Sequence, residues 1–380
     1  MRRRLLMVGR TRYELPLPAG LARKFGALED RFDLRVLASA GSRDERGDAT
    51  FRLQRPLGVR ALEGPAFYGS LVPRIAAELR RFRPDAVVAQ SPYEALAALA
   101  ARTLVRGRAA VVLEVHGDWR TWARLYGSPL RGLVAPLGDR LALVAVRRAD
   151  AVRTLSTFTN GIVRDAGVEP AATFTTYTEL SAFSEPPLRP LPERPTALFV
   201  GVLERYKNVD GIDAAWRLAA PRLPGAVLRL VGDGRFRDSV RSLVTDLPAQ
   251  TRWLPKLATA EVVAAMDESW ALLLVSRSEG TPRVVLEALC RGRAVIGARA
   301  GGIPDVVEDG VTGLLVDPED PEAIAGALVR VLSDRALAER MGAAGHARAA
   351  AWLYTPEQYA ERMAELVERA VAARDLGHDG

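Results

Sequence analysis

Two glutamates stand eight positions apart in SRSEGTPRVVLEA (residues 276–288), with the break Gly280-Thr281-Pro282 after the first. The apolar run ALLLV (271–275) before them reads as a strand, SRSEG as a turn, and Thr281 and Pro282 as the N-cap and first residue of a helix. Free backbone amides at Arg283 and Val284, at the positive end of the helix dipole, would seat an anion such as a diphosphate. Glu287 would lie about 7.5 Å further along the axis. Each helical residue turns about 100°, so Val285 and Leu289 share a ridge that can face a core while Glu287 looks elsewhere. A carboxylate one turn below a diphosphate suits the two hydroxyls of a ribose, which it can accept together. Glu279, in the loop before the cap, lies on the other side of the phosphates, where a sugar would be. The pair is spaced to bracket a nucleotide sugar. A competing reading has Glu287 simply paired with Arg283 at i, i+4 and Glu279 solvated in its loop.

The elements that must position these acids are those of an α/β protein. Short β-branched runs alternate with helical stretches: RLLMV (4–8), DLRVLA (33–38), DAVVA (85–89) and AAVVLEV (109–115). That alternation predicts a parallel sheet with helices on both faces. EPPLRPLPERP (185–195) carries five prolines, which forbid a helix and any central strand, so residues 186–195 read as a linker. A second run follows: TALFVG (196–201), AVLRLVG (226–232), ALLLV (271–275), RAVIG (293–297) and TGLLV (312–316). Two such halves imply Rossmann-like domains facing across a cleft, with the carboxyl ends of their strands toward it.

The chain has 380 residues and is 48% hydrophobic, which favours two domains over one core. Its longest apolar runs are strand length, far short of a bilayer span, and MRRRLLMVGR reads as a first strand and not as a signal peptide. The single cysteine, Cys290, excludes an internal disulfide and a cysteine-rich metal site, so a cytoplasmic home is expected. Charge is uneven. Residues 1–180 hold 29 Lys and Arg against 18 Asp and Glu, whereas the rest hold 24 against 28. An anionic partner for the first half, either a phospholipid surface at the inner membrane face or a phosphate-bearing acceptor, would account for the asymmetry. So would an arginine-rich codon bias. Nucleic acid is not expected, because the arginines are scattered and lack interleaved aromatics.

The stretch from Ser276 to Leu328 resembles the donor-binding half of the retaining glycosyltransferase family 4, whose E-x7-E signature is met at Glu279 and Glu287. The resemblance extends more weakly from residue 1 to about 375. It implies a GT-B fold: residues 1–185 as an acceptor domain, 196–355 as a nucleotide-sugar domain, and a last helix over 356–376 crossing back to the first. It further implies that Glu279 faces the transferred sugar and Glu287 holds the ribose, as the spacing suggested. FVGVLERYKNVDGI (199–212) resembles the family's Gly-Arg-Leu-x-x-x-Lys-Gly segment, so Lys207 matches the lysine that neutralises the donor diphosphate. The family arginine is replaced by Val202. A leaving diphosphate needs about two charges compensated, and Arg205 is the expected substitute. VGDGRFR (231–237) resembles the Gly-Asp-Gly turn, where Gly232 permits close backbone approach. VVLEVHGDWR (111–120) ends a buried strand at His116, where the family often has a histidine that contacts the transferred sugar.

Departures from the family pattern are the first loop, GRTRYELPLP (9–18), which keeps only Gly9, and YTELSAF (177–183) in place of Asn-Gly-Val-Asp. Base contacts are expected from backbone near LPKL (254–257). The resulting expectation is a retaining, metal-independent hexosyl transfer from a nucleoside diphosphate sugar to a glycan, lipid-linked or small-molecule hydroxyl, with no cofactor. A GT-B nucleotide-sugar epimerase and a non-catalytic nucleotide-sugar-binding partner subunit are the alternatives. A nicotinamide dehydrogenase is disfavoured, because MVGRTRYEL lacks G-x-G-x-x-G.

Overall fold

The computed structural model describes residues 2–120 and 129–376, and its chain divides into two compact units. The first takes residues 2–120, 129–177 and 354–376 and the second takes 178–353.

The first unit is built on β1 (Arg3–Tyr13), β2 (Phe32–Ala40), β3 (Phe51–Gln54), β4 (Ala86–Ala89), β5 (Ala110–Val115), β6 (Ala151–Thr154) and β7 (Ala172–Thr173). They form one parallel sheet in the order β3-β2-β1-β4-β5-β6-β7. Alternate side chains enter two cores. Leu6, Val8, Val87, Val111 and Leu113 pack under Phe67, Leu71 and Ile75 of the helix Arg60–Arg81 and under Ala95 and Ala98 of the helix Pro92–Val105. On the other face Leu5, Met7, Val88 and Val112 meet Phe25 and Leu28 of the helix Ala19–Arg31 and Tyr359, Met363, Leu366 and Val367 of the helix Pro356–Leu376. Burial on both faces is why β4 reads as an unbroken apolar run and β5 as one interrupted only by Glu114.

The second unit carries β8 (Thr196–Val200), β9 (Val227–Val231), β10 (Thr251–Leu254), β11 (Ala271–Leu274), β12 (Ala294–Ala298) and β13 (Gly313–Val316), all parallel, in the order β10-β9-β8-β11-β12-β13. From β8 the chain leads to β9 on one side, and from β11 it leads to β12 on the other. The loops leaving the carboxyl ends of β8 and β11 therefore diverge, which opens the crevice where sheets of this kind bind ligands. In the first unit β1 and β4 stand in the same relation.

Several expectations change in detail. β1 runs on to Tyr13, with a register irregularity between Val8 and Arg12, so residues 9–13 extend the strand instead of opening a loop. The short strands β3, β6, β7 and β10 escaped periodicity because each has only two to four residues. The division between units falls after Tyr177, not at 185, and the proline-rich stretch 186–195 belongs to the second unit. Arg291 explains why. Its buried guanidinium donates to the carbonyls of Phe183 (3.2 Å), Pro186 (2.7 Å) and Pro187 (2.9 Å) while pairing with Asp267, and Arg293 donates to that of Arg189 (2.8 Å). Prolines cannot donate, but their carbonyls accept, and a guanidinium has five donors to offer them. The segment is thus strapped down by arginines far away in sequence. Among the described residues no helix is long and apolar enough to cross a membrane.

Candidate functional site

The carboxyl ends of β8 and β11 bring Lys207 and Glu279 together. Lys207 ends the 3-10 turn Arg205–Lys207, and its Nζ donates to Glu279 Oε1 at 2.5 Å, with both side chains about seven-eighths buried. The two loops are themselves tied, since the Arg277 amide donates to the Tyr206 carbonyl at 2.8 Å. Arg277 is a staple that sequence reasoning missed. Its guanidinium reaches Asp210 (2.8 and 3.0 Å), Glu319 (2.7 Å) and the carbonyl of Arg205 (2.8 Å), which holds the lysine turn against the acid loop. Asn208 closes the same turn. It has a left-handed backbone (φ 58°), accepts from the Gly211 amide at 3.2 Å and donates to the Pro318 carbonyl at 2.6 Å.

Glu279 is also fixed through its backbone, because the Gly302 amide donates to its carbonyl at 3.0 Å. Gly301 has φ +58°, and a Cβ there would stand 2.5 Å from that carbonyl oxygen. ARAGG (298–302) is therefore the platform under the loop acid, and its Gly-Gly pair was the signal available for it. A second close approach involves Gly232. With φ +143°, any Cβ on it would fall 1.8 Å from the Gly201 carbonyl oxygen, so the turns after β8 and β9 touch backbone to backbone.

Beyond Gly280 the helix is Arg283–Cys290, and Pro282 is its cap residue. This corrects the expected cap: Thr281 makes no side-chain capping bond, and its buried hydroxyl has no partner among the described residues. The helix still starts with the amides of Arg283 and Val284 lacking intrahelical acceptors. Val284 packs partly into the core. Glu287 is buried and accepts from Arg283 Nε at 2.7 Å. The i, i+4 pairing weighed from sequence is thus present. Burial pushes the Glu287 carboxyl above the usual carboxylate range, against the pull of Arg283, so the charge is held where extra donors would be welcome. Arg205 is exposed, and among the described residues only its carbonyl is hydrogen-bonded; the structure does not bring its side chain to Lys207 or Glu279. Val202, at the family arginine's position, is exposed.

His116 lies in the first unit, one residue past β5. Its Nε2 is 3.2 Å from Glu114 Oε2, and Glu114 is fully buried beside Arg153. Burial alone would raise the Glu114 pKa, but Arg153, His116 and Lys24 bring it down to about 2.

Each unit is thus a parallel α/β sheet, and in the second Lys207 and Glu279 meet at a topological switch point; the fold is GT-B. Residues 184–348 match the family of glycosyl transferases group 1 and residues 21–177 match glycosyltransferase family 4. The chain belongs to these family 4-type glycosyltransferases. It is 28% identical over 315 residues to the GDP-mannose-dependent alpha-(1-6)-phosphatidylinositol monomannoside mannosyltransferase of Mycobacterium tuberculosis, covering 78% of this chain and 80% of that one. It is also 28% identical over 291 residues to the sulfoquinovosyl transferase of Arabidopsis thaliana, where it spans 72% of this chain but only 55% of the relative. Among solved structures, sucrose-phosphate synthase from Thermosynechococcus elongatus superposes with a TM-score of 0.77 at 18% identity, over 98% of this chain and all of that one. Anabaena HepE in complex with UDP-glucose gives 0.69 at 17%, over 96% of this chain and all of that one.

Proposed function

We propose that this enzyme transfers a hexosyl group, with retention and without a metal, from a nucleoside diphosphate sugar to a hydroxyl acceptor. The observation that carries the proposal is the contact between Lys207 and Glu279 at the β8/β11 switch point. A cation and an acid held together there are poised for a diphosphate and for the sugar attached to it. In this reading Lys207 and the amides of Arg283 and Val284 take the diphosphate, Arg205 swings in from solvent to share its charge, and Gly232 and Gly280 let backbone approach the nucleotide. Glu287 accepts from the ribose hydroxyls, Glu279 faces the sugar, and His116 is the first unit's contribution to sugar recognition. Leaving-phosphate oxygens on the face of the sugar that the acceptor approaches then take the acceptor's proton, so no carboxylate nucleophile is required.

The acceptor is a glycan or a lipid-linked hydroxyl, and the basic first half would keep the enzyme peripheral to an anionic cytoplasmic membrane face. The named relatives support a choice of first donors. The mycobacterial one is GDP-mannose-dependent and the Anabaena structure holds UDP-glucose. Thermal shifts with GDP-mannose and UDP-hexoses, followed by product analysis with and without EDTA, test the proposal. A β-configured product from an α-donor would overturn retention. Loss of transfer in EDTA would overturn metal independence. His116→Ala should bind the bare nucleoside diphosphate like the parent while losing about 10²-fold in transfer, and full transfer would remove His116 from the site.

A further inference from the structure

Glu114 is an acid in the middle of a central strand that is otherwise wholly apolar, AVVLEV, and it is 1% exposed. It stands directly opposite Arg153 in the β5–β6 register. One carboxylate oxygen accepts from the Arg153 guanidinium, which is itself completely buried, lies 4.0 Å over the Phe174 ring and donates to the Phe174 carbonyl at 2.9 Å. The other oxygen is the one at 3.2 Å from His116 Nε2. A second cation, Lys24, is buried nearby over the Tyr359 ring at 5.0 Å. Burying two cations and an acid in a sheet core is poor economy for stability, since apolar side chains of the same volume commonly do as well or better. The arrangement does, however, have a geometric product. Strand alternation puts residues 114 and 116 on one side of the sheet, so the carboxylate reaches along the strand to the imidazole while Arg153 holds it still. His116 keeps 39% of its side chain exposed, so the ring is gripped on one edge and open on the other.

Resting on the assignment of His116 to the sugar site, we propose that Glu114 is the positioning residue of that histidine. A carboxylate can only accept, so the imidazole nitrogen facing it must carry the proton. Glu114 therefore fixes the Nε2–H tautomer and leaves Nδ1 as the acceptor for a sugar hydroxyl. The logic is that of an acid orienting a catalytic histidine, applied here to a binding contact. Arg153 extends the device, because by saturating one oxygen it leaves the carboxylate a single free edge, and that edge is the one turned to the ring.

The test begins with the unmodified protein. In a long-range 1H–15N spectrum of histidine-labelled enzyme, with the signal assigned by His116→Gln, neutral His116 should show the Nε2–H pattern. The Nδ1–H pattern, or an averaged mixture, would overturn the proposal without any variant at Glu114. Glu114→Gln should then flip the tautomer, since Arg153 claims the amide oxygen and the amide NH2 turns toward the ring. With it, nucleoside diphosphate release from GDP-mannose or UDP-glucose should fall by roughly 10- to 100-fold, at unchanged affinity for GDP or UDP. Glu114→Asp should recover part of the loss. If His116→Ala is inactive while Glu114→Gln matches the parent in rate and tautomer, the positioning role fails and the site stands. If His116→Ala is fully active, the site assignment fails first.

Discussion

Replacing Glu279 by Gln should make the bare nucleoside diphosphate bind more tightly while transfer falls. In the free enzyme Lys207 is not waiting for phosphate, because it already donates to Glu279 at 2.5 Å with both side chains about seven-eighths buried. At an effective dielectric near 20 the bare attraction at that separation is roughly 6 to 7 kcal/mol, an upper bound that desolvation of both groups largely offsets. Exposed pairs are worth about 0–1 kcal/mol and fully buried ones cost about 3–5 when broken. A pair of this burial falls between, at about 1–2 kcal/mol. A diphosphate that takes Lys207 must first overcome that contact. Neutralising Glu279 removes the competitor, so GDP or UDP should bind about 5- to 30-fold more tightly at 1.4 kcal/mol per tenfold. Titration calorimetry on parent and variant at low salt reads this directly, and the gain should shrink as salt rises. Folding should lose no more than that same amount, about 1–2 kcal/mol, because the loop backbone is held by the Gly302 amide on the Glu279 carbonyl and not by the carboxylate. Turnover should drop, since the carboxylate facing the sugar is gone. Equal or weaker nucleotide binding by Glu279→Gln would refute the idea that the two residues guard each other.

Glu287→Gln should weaken GDP or UDP about 10-fold in calorimetry with a smaller effect on turnover from bound donor, because a ribose contact is made in ground and transition states alike; unchanged affinity would leave Glu287 as a partner of Arg283 only. Gly301→Ala should cost about 1–3 kcal/mol in denaturant unfolding and abolish donor binding, since the new Cβ would stand 2.5 Å from the Glu279 carbonyl oxygen at φ +58°; a parent-like midpoint would show that the platform can give way. Stability should also follow the buried charges of the first unit. Glu114, at about 2 against an ordinary 4.5, binds fewer protons folded than unfolded, so its contribution is complete above pH 4.5 and is lost as pH falls toward 2. Lys24 is lowered by burial, against the pull of Glu114, to about 8 from 10.5, so the unfolded chain binds more protons between those values and stability should rise with pH across that window. Urea midpoints against pH check both slopes, and a shallower fall in Glu114→Gln than in the parent below about pH 5 identifies the acid, the remaining slope belonging to other lowered carboxylates such as Asp210 and Asp309.

The sequence carried the α/β alternation and the spacing of Glu279 and Glu287, because both are local: a strand ending in a turn, then a helix whose pitch places the second acid. What it could not carry was partnership across the sheet. Lys207 and Glu279 are 72 positions apart, and only the strand order that sets β8 beside β11 makes them neighbours. The same holds for Arg277, whose anchors are Arg205 and Asp210 in the turn and helix after β8 and Glu319 beyond β13, and for Arg291, which turns a stretch that reads as a linker into a strap on the second unit. Thr281 shows the opposite failure. It has the composition of a cap, but the loop geometry hands that place to Pro282 and leaves the hydroxyl buried, with no partner among the described residues.

Glu114 was within reach of sequence reasoning, and the reason is physical. A run such as VVLEV, with apolar residues on both sides of a single acid, describes a strand buried on both faces, where an ionised carboxylate survives only with a cation and further donors. That demand predicts a buried arginine or lysine on an adjacent strand, which the β5–β6 register supplies in Arg153. It also predicts that the remaining oxygen must serve something, and the nearest polar group along the same face is two residues on, at His116. On the proposed assignment, His116 and the acid two residues before it act as one unit, whose second half is buried and so lies apart from exposed candidate groups. In the second unit the acids are likewise each held by a cation, Glu279 by Lys207 and Glu287 by Arg283, so every carboxylate assigned to the chemistry is already oriented before a ligand arrives. Preorganisation of that kind lowers the reorganisation needed at the moment of transfer, and it is why exchanging any one of these acids for its amide should change which partner its cation serves before it changes the fold.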